Sequence, residues 1–207
     1  MTSDLSTSEL IVYGDKKSGN CYKIQLVCAF LNIEYKWLDV DIMANECQSP
    51  AFIKLNPNAK IPLLLLASDQ TISESNAIIN YLAAGSTLVP TDSFLLAKVQ
   101  QWQFFEQYSH EPYIAVARFI NKYLGLPKDR EQEYKAKQLG GHEALRIMDG
   151  QLKQSDYLVG NTMTVADISL FAYTHVAPQG GVSLGDYPNI QRWIQRIEAE
   201  NGFMKMG

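Results

Sequence analysis

The chain changes its hydrophobic pattern once, near residue 85, and this change limits what it can fold into. Up to residue 84, short β-branched runs alternate with short segments of helical periodicity. Beyond Pro90 the apolar residues follow only helical spacing, over long segments such as 92–124 and 129–154. Short alternating runs predict strands, and the 3.6-residue period predicts helices. The sequence therefore predicts an α/β domain over 1–84, whose first nine residues (1–9) form a flexible tail, then a linker over 85–92 and an all-helical bundle over 93–207.

The first domain is predicted to alternate strands and helices. The strands are expected at 10–13, 35–40, 61–66 and near Thr71, and the helices at 22–31, 50–55 and 73–84. In the second domain, further helices are expected at 165–176 and 190–200. Thr164 and Asp167 have the spacing of a capping box, so we assign this pair a role in folding.

Charge and composition exclude several classes of function. The 207 residues carry 18 Lys and Arg against 22 Asp and Glu, a net charge of -4, and they contain no basic cluster. Such a chain does not neutralise a row of phosphates, so nucleic acid is not an expected partner. No apolar run approaches the roughly 20 residues of a membrane span, and the N-terminus lacks the basic and apolar regions of a signal peptide. We expect a cytoplasmic protein that does not cross a membrane.

The cysteines argue against a disulfide framework and against a metal site. Cys21, Cys28 and Cys47 are irregularly spaced, and the three histidines offer no paired-ligand spacing. Cys21 stands three residues after Ser18, which is the spacing of a redox Cys-x-x-Cys pair. Because serine occupies the first position, a self-contained dithiol mechanism is excluded. Cys21 and Cys28 are expected to be buried structural residues.

Ser18-Gly19-Asn20-Cys21 lies between the first predicted strand and the first predicted helix. The Ser18 hydroxyl is therefore placed where amide groups and the positive end of the helix dipole stabilise an anion such as a thiolate. Serine is also a favoured N-cap residue, and the position alone does not separate the two roles.

A second motif, Asn56-Pro57-Asn58-Ala59-Lys60-Ile61-Pro62, leads into the third strand. The Ile61–Pro62 bond is a candidate for a cis peptide, because only X-Pro bonds adopt that form at modest cost. Taken alone, the motif favours the simpler interpretation in which Pro62 opens the strand, where its missing amide does no harm.

A third motif, Glu74-Ser75-Asn76, begins the next helix. The Ser75 hydroxyl and nearby amide groups suit a ligand carboxylate, and Glu74 suits a ligand ammonium group. The simpler alternative is that a serine caps the helix while Glu74 complements its dipole, and the motif alone favours that alternative.

Together these motifs resemble the soluble glutathione transferase family, over nearly the whole chain from Leu10 to Phe203. Tyr13 followed by Ser18-x-x-Cys21 is similar to the serine-type loop of the Theta and related bacterial classes. The segments from Asn56 to Pro62 and from Glu74 to Ile78 look like the glutathione-site motifs of that family. The segment from Tyr157 to Asp167 resembles its helical-domain signature.

This resemblance implies a thioredoxin-like N-terminal domain with a cis peptide before Pro62, an all-helical C-terminal domain, and glutathione bound by the first domain. By the same resemblance, Ile61 pairs its backbone with the cysteinyl part of glutathione, and Glu74 and Ser75 hold its γ-glutamyl end. Lys60 lies near the ligand and Gln48 near its glycine end.

Catalysis is expected to depend on Ser18, whose hydroxyl donates a hydrogen bond to the glutathione sulfur and so lowers the thiol pKa. Tyr13 is the alternative sulfur ligand, because other transferase classes keep a catalytic tyrosine near this position. Asn20 is a further candidate for the sulfur contact, since Ser18-Gly19-Asn20 resembles the Thr-Pro-Asn loop of the bacterial Nu class, whose preferred chemistry is disulfide reduction.

The acceptor site is expected between the domains, with Tyr108, Tyr113 and Arg118 on the first long helix, although Arg118 would equally suit a pair with a carboxylate on a helix face. Conjugation of glutathione to a small electrophile is the expected activity, with no metal. Glutathione-dependent disulfide or peroxide reduction is the alternative, and a non-catalytic binding module is the second alternative. The resemblance also implies a homodimer.

Overall fold

The chain divides into two compact units in the computed structural model, which describes residues 10–207. The first unit contains the described residues up to Thr87 together with Asn201–Gly207, and the second contains Leu88–Glu200. The expected flexible tail over 1–9 lies outside the described residues. Between residues 10 and 207, no helix is both long enough and apolar enough to cross a membrane.

The first unit has the predicted order of strands and helices and is a thioredoxin-like fold. Its elements are β1 (Ile11–Gly14), α1 (Gly19–Leu31), β2 (Lys36–Asp39), a 3-10 turn (Glu46–Gln48), α2 (Pro50–Leu55), β3 (Leu63–Leu65), β4 (Thr71–Ser73) and α3 (Ser75–Leu82). The sheet order is β2-β1-β3-β4, in which β1 and β2 are parallel while β3 runs antiparallel to both β1 and β4. The fold class predicted for this part of the chain is confirmed.

The sheet of the first unit is buried on both faces. Val12 of β1 pairs with Leu64 of β3, and both side chains are fully buried. The next pair along the strands, Tyr13 and Leu63, points to the opposite face because side chains alternate along a strand. There Leu63 packs in an apolar cluster with Phe52 of α2. The loops at the end of β1 and before β3 are thus attached to a packed core.

The C-terminal segment Asn201–Gly207 packs within the first unit, whereas the sequence analysis assigned it to the helical domain. The Tyr22 hydroxyl of α1 donates a hydrogen bond to the carbonyl of Met204. Gly202 has a φ of +89°, and a Cβ at this position would lie 3.1 Å from the carbonyl oxygen of Ala29. These contacts join residues nearly two hundred positions apart, and local periodicity contains no signal for them.

The second unit is all-helical, as predicted. Its elements are α4 (Ser93–Phe105), a π-helical turn (Glu106–His110), α5 (Glu111–Arg118), a second π-helical turn (Phe119–Tyr123), α6 (Glu131–Leu152), α7 (Val165–Thr174) and α8 (Pro188–Glu198). The sequence predicts one continuous helix over 92–124, and the structure interrupts it at the two π turns. The first interruption precedes Pro112, which has no amide hydrogen to donate in the regular ladder.

The predicted capping box at the start of α7 is confirmed. The Thr164 amide donates to the Asp167 carboxylate at 2.9 Å, and the Ala166 amide donates to the Thr164 hydroxyl at 3.3 Å. Asp167 is fully buried and also accepts hydrogen bonds from the Leu158 amide and the Trp193 indole. Burial raises the pKa of this carboxyl, and the donated hydrogen bonds oppose the rise. The pair holds α7 to its surroundings, in agreement with a role in folding.

Candidate functional site

A pocket of about 290 Å³ opens on the first unit, beside the loop between β1 and α1. Three segments form its wall: the start of α1, the residues around the 3-10 turn after β2, and the loop that precedes β3. Its lining residues are Ser18, Ile42, Asn45, Cys47, Gln48, Ala59, Lys60 and Ile61. The structure therefore brings together four of the predicted site residues, namely Ser18, Gln48, Lys60 and Ile61.

Ser18 is the N-cap of α1 and is one of the residues that line the pocket. The hydroxyl oxygen accepts a hydrogen bond from the Cys21 amide at 3.4 Å, and the Ser18 amide donates to the Asp15 carbonyl at 3.0 Å. A hydroxyl has a rotatable hydrogen in addition to its acceptor lone pairs, so a capping serine is also able to donate to a ligand atom. The same position of the Ser18 hydroxyl therefore allows both roles that the sequence left open, the N-cap of α1 and a donor to a ligand anion.

The loop before β3 is held in shape by a buried asparagine. Asn56 donates from its side-chain nitrogen to the Lys60 carbonyl at 2.7 Å and accepts from the Asn58 amide at 3.1 Å. The Ile61–Pro62 peptide is cis, as the family resemblance implies. Lys60 and Ile61 are thereby presented to the pocket by a loop whose backbone groups are internally hydrogen-bonded.

A second polar group lies at the start of α3. Ser75 is the first residue of this helix, and its hydroxyl donates to the side-chain oxygen of Asn20 at 3.2 Å. Glu74 precedes it at the N-cap position, with φ 68° and ψ 114°, and makes no side-chain capping hydrogen bond in the described structure. Asn58 donates to the Glu74 carboxylate at 3.5 Å. A capping hydrogen bond therefore does not explain why a glutamate occupies position 74.

The backbone of Glu74 is strained. A φ of 68° is a conformation that non-glycine residues rarely adopt and that costs on the order of 1–3 kcal/mol. Strain of this kind persists where the surrounding structure holds a side chain in place. Here it presents an exposed carboxylate one residue before the buried hydroxyl of Ser75.

The cysteine thiols are buried and protonated at neutral pH. Burial raises the pKa of Cys21 to about 12 and that of Cys28 to about 12. Cys47 lies in the pocket wall, and desolvation raises the pKa of its thiol as well. No protein thiolate is therefore supplied by these three residues at neutral pH, and Cys21 and Cys28 have the buried positions predicted for them.

Tyr13 packs its ring edge-on against Phe52, with ring centroids 6.2 Å apart. It belongs to the apolar cluster beneath α2. Of the two residues proposed from the sequence as the main sulfur ligand, Ser18 is the one that lines the pocket.

The three predicted acceptor-site residues have different environments in the second unit. Tyr108 is 86% exposed. Tyr113 packs on Gly140, where an added Cβ would lie 2.2 Å from the tyrosine ring. Arg118 is buried and donates from Nε to the side-chain oxygen of Gln179 at 2.8 Å. This partner is a side-chain amide, whereas the sequence suggested a carboxylate. Their role toward a second substrate stays a prediction.

Sequence reasoning missed one polar residue, Lys23, and four lining residues, Ile42, Asn45, Cys47 and Ala59. Lys23 is fully buried in α1, and its ammonium donates to the Ser75 hydroxyl at 3.1 Å. It follows Asn20 by three positions, so the two side chains share a helix face, and this spacing was an available signal. The lining residues lie in irregular segments without a periodic pattern.

Between residues 10 and 207, no group of three or more His, Cys, Asp or Glu side chains is arranged to hold a metal ion.

A pocket thus lies at the first strand-to-helix loop of a thioredoxin-like domain, and a helical domain follows that domain in the chain. The family description "Glutathione S-transferase, N-terminal domain" matches residues 8–84, and "Glutathione S-transferase, C-terminal domain" matches residues 101–201. The chain belongs to the glutathione S-transferase family.

Individual relatives agree with this assignment. A glutathione S-transferase from Pseudomonas fluorescens Pf-5 is 51% identical, with a TM-score of 0.95 over 96% of this chain and 99% of that one. Glutathione S-transferase 2 of Anopheles gambiae is 30% identical over 88% of this chain and 87% of its own length. A glutathione transferase homologue from Drosophila mojavensis, solved with bound glutathione, is 28% identical, with a TM-score of 0.79 over 93% of this chain and 88% of that one.

Proposed function

We propose that the protein is a cytoplasmic glutathione transferase that activates the glutathione thiol for attack on a small electrophile. The observation that carries this proposal is the position of Ser18, which lines the pocket at the N-terminus of α1. Hydroxyl donors and helix N-termini both stabilise an adjacent anion. The glutathione bound to the Drosophila mojavensis homologue supports the choice of ligand.

We assign the remaining polar side chains of the site to the two ends of glutathione. Ser75 and Glu74 receive the γ-glutamyl carboxylate and ammonium, because a hydroxyl donates to a carboxylate and a carboxylate accepts from an ammonium. Lys60 and Gln48 line the pocket together with Ser18, and the glycine end would lie against them. Ile61 supplies backbone groups to the cysteinyl part.

The chemical step uses the glutathione sulfur as the nucleophile. The hydrogen bond from Ser18 favours the thiolate, so the thiol proton passes to solvent at neutral pH. The sulfur lone pair then forms the bond to the electrophilic carbon, and the leaving group departs with its electron pair. The high pKa values of Cys21 and Cys28 support glutathione, and not a protein thiol, as the source of the thiolate.

Two assays test the activity. Turnover of glutathione with an activated aryl halide measures conjugation, and turnover with a model disulfide measures reduction. A faster reaction with the aryl halide is the expected result. Faster disulfide turnover would favour the reductase alternative, for which Asn20, two residues after Ser18 in the first turn of α1, is the residue to test. Saturable binding of glutathione without either activity would contradict the proposed enzyme and favour a binding module.

We also propose a homodimer, on the basis of three exposed aromatic side chains on α4 and the following turn. Phe94 is 69% exposed, Phe104 is 71% exposed, and Tyr108 is 86% exposed. Phe104 follows Phe94 by ten residues, or about 2.8 helical turns, so the two side chains lie roughly 80° apart around the helix axis. Large exposed apolar side chains that lie close together are typical of an interface. Light scattering should give about twice the chain mass of 23.3 kDa, and a species of the single-chain mass alone would contradict the dimer.

A further inference from the structure

Lys23 is a lysine without exposed surface, in the middle of a helix of the glutathione-binding unit. Lysine is almost never fully buried unless its ammonium is paired, because removing a charge from water is costly. Its Nζ donates to the Ser75 hydroxyl oxygen at 3.1 Å and lies 3.5 Å from the side-chain oxygen of Asn76. Both contacts are at the first turn of α3, which is the end of the site proposed for the γ-glutamyl carboxylate.

The contacts of Lys23 set the direction of the hydrogen bonds that follow. Because an ammonium only donates, the Ser75 oxygen accepts from Lys23 and its hydrogen is directed elsewhere. In this structure that hydrogen points to the Asn20 side-chain oxygen, 3.2 Å from the Ser75 oxygen. A hydroxyl that accepts from a cation is polarised and is a stronger donor to an anion. Lys23 therefore strengthens the Ser75 hydroxyl as a donor, and its single hydrogen, given to Asn20 in this structure, would turn from Asn20 to a ligand carboxylate.

The charge of Lys23 also suits the ligand at this position. The ammonium is one hydrogen bond away from the hydroxyl that is proposed to receive a carboxylate. Burial weakens screening, so a cation at this distance attracts an incoming anion more strongly than a surface lysine does. The N-terminus of α3 adds partial positive charge at the same place.

We propose that Lys23 is a positioning residue for the γ-glutamyl carboxylate of glutathione. It acts through Ser75, whose hydroxyl it strengthens as a donor, and through its own buried charge. This inference rests on the proposed function, since it concerns the residues proposed to hold the γ-glutamyl end of the same ligand.

A lysine that only joined α1 to α3 would affect every ligand equally, so the test compares two ligands. One is glutathione, and the other is the analogue in which γ-aminobutyrate replaces the γ-glutamyl residue and which lacks only the α-carboxylate. Affinities of wild type, Lys23→Met and Lys23→Arg are measured by calorimetry. Lys36→Met, at an exposed position of β2, is the control for the same change in net charge.

Lys23→Met is expected to weaken glutathione by about ten-fold or more, the size of a hydrogen bond to a charged group. It should change the affinity of the decarboxylated analogue by less than about two-fold. Lys36→Met should change neither affinity. Lys23→Arg retains the charge and should retain the preference of the wild type for glutathione over the analogue.

Equal weakening of both ligands by Lys23→Met, or no weakening of either, would overturn the inference. If Lys23→Met does not fold, the affinities of the wild-type protein for the two ligands still test the inference. Equal affinity for glutathione and the analogue would show that the carboxylate is not recognised and would overturn it. Failure of the wild type to bind glutathione at all is a separate result, which refutes the proposed function itself.

Discussion

Replacing Ser18 by alanine removes a hydroxyl that caps α1 and that is proposed to donate to the glutathione thiolate. The free energies of these two interactions can be estimated separately from the structure. As a cap, the hydroxyl accepts from the Cys21 amide at 3.4 Å, a long hydrogen bond, so the loss of stability belongs at the low end of the usual range, about 0.5 kcal/mol. As a donor to a thiolate, it is worth about 1.5–3 kcal/mol. Since one pKa unit corresponds to about 1.4 kcal/mol, Ser18→Ala should raise the pKa of the bound thiol by about 1–2 units.

The assay is the pH dependence of kcat with an activated aryl halide at saturating glutathione. In wild type the midpoint of the profile reports the lowered thiol pKa, and in Ser18→Ala it should move upward by about one unit or more. Below the wild-type midpoint, kcat of the variant should be about ten-fold or more lower than that of wild type, because less thiolate is present.

Ser49→Ala is the matched control for this substitution. Ser49 is the N-cap of α2, and its hydroxyl accepts from the Phe52 amide at 3.3 Å, so it has the same capping geometry as Ser18. Its loss should lower stability by a similar amount without moving the kcat profile. A Ser18→Ala profile that coincides with wild type, or a Ser49→Ala profile that shifts as far as Ser18→Ala, would refute the assignment of Ser18 to the sulfur.

Three further substitutions test other parts of the account. Glu74→Gly should be more stable to urea than Glu74→Ala by about 1 kcal/mol, because glycine adopts the positive φ without strain, while both variants should bind glutathione more weakly than wild type; equal stabilities would contradict the strain. Burial lowers the pKa of His175 from 6.5, the value in the unfolded chain, to about 4, so the folded protein favours the neutral imidazole. The free energy of unfolding should therefore be highest above pH 6.5 and should fall by up to about 3 kcal/mol as the pH is lowered toward 4. His175→Gln should lack this loss in urea titrations over the same pH range, and an identical decline in the variant would exclude His175 as its cause. Asp167→Ala leaves the amides of Leu158 and Thr164 and the indole of Trp193 buried without their acceptor, and should cost at least about 3 kcal/mol in urea unfolding; a cost below 1 kcal/mol would contradict the structural role.

The elements that depend on local pattern were predictable from the sequence. The helix over Pro50–Leu55 and the capping box before α7 agree with the structure, because apolar spacing and capping chemistry act within a few residues. The cis Ile61–Pro62 peptide was predictable only through the family resemblance, since the motif alone favoured the commoner trans form.

Contacts between distant segments were not predictable in this way. The C-terminal segment packs within the first unit through Tyr22 and Gly202, and no periodic pattern links residues so far apart. The contacts of Lys23 were missed because a lysine in a helix is expected to be exposed. Its spacing from Asn20 indicates a shared helix face, but only the position of α3 shows what its ammonium contacts.

The central claim is that the protein lowers the pKa of the glutathione thiol, and the thiolate absorbance in the ultraviolet measures this directly. Glutathione is added to the wild-type protein across a pH series, and the signal of protein alone is subtracted. We expect a thiolate signal that titrates well below the value of about 8.5 for an ordinary thiol. Saturating binding with a titration at the ordinary value would contradict the claim, because the bound thiol would then be no more reactive than the free one.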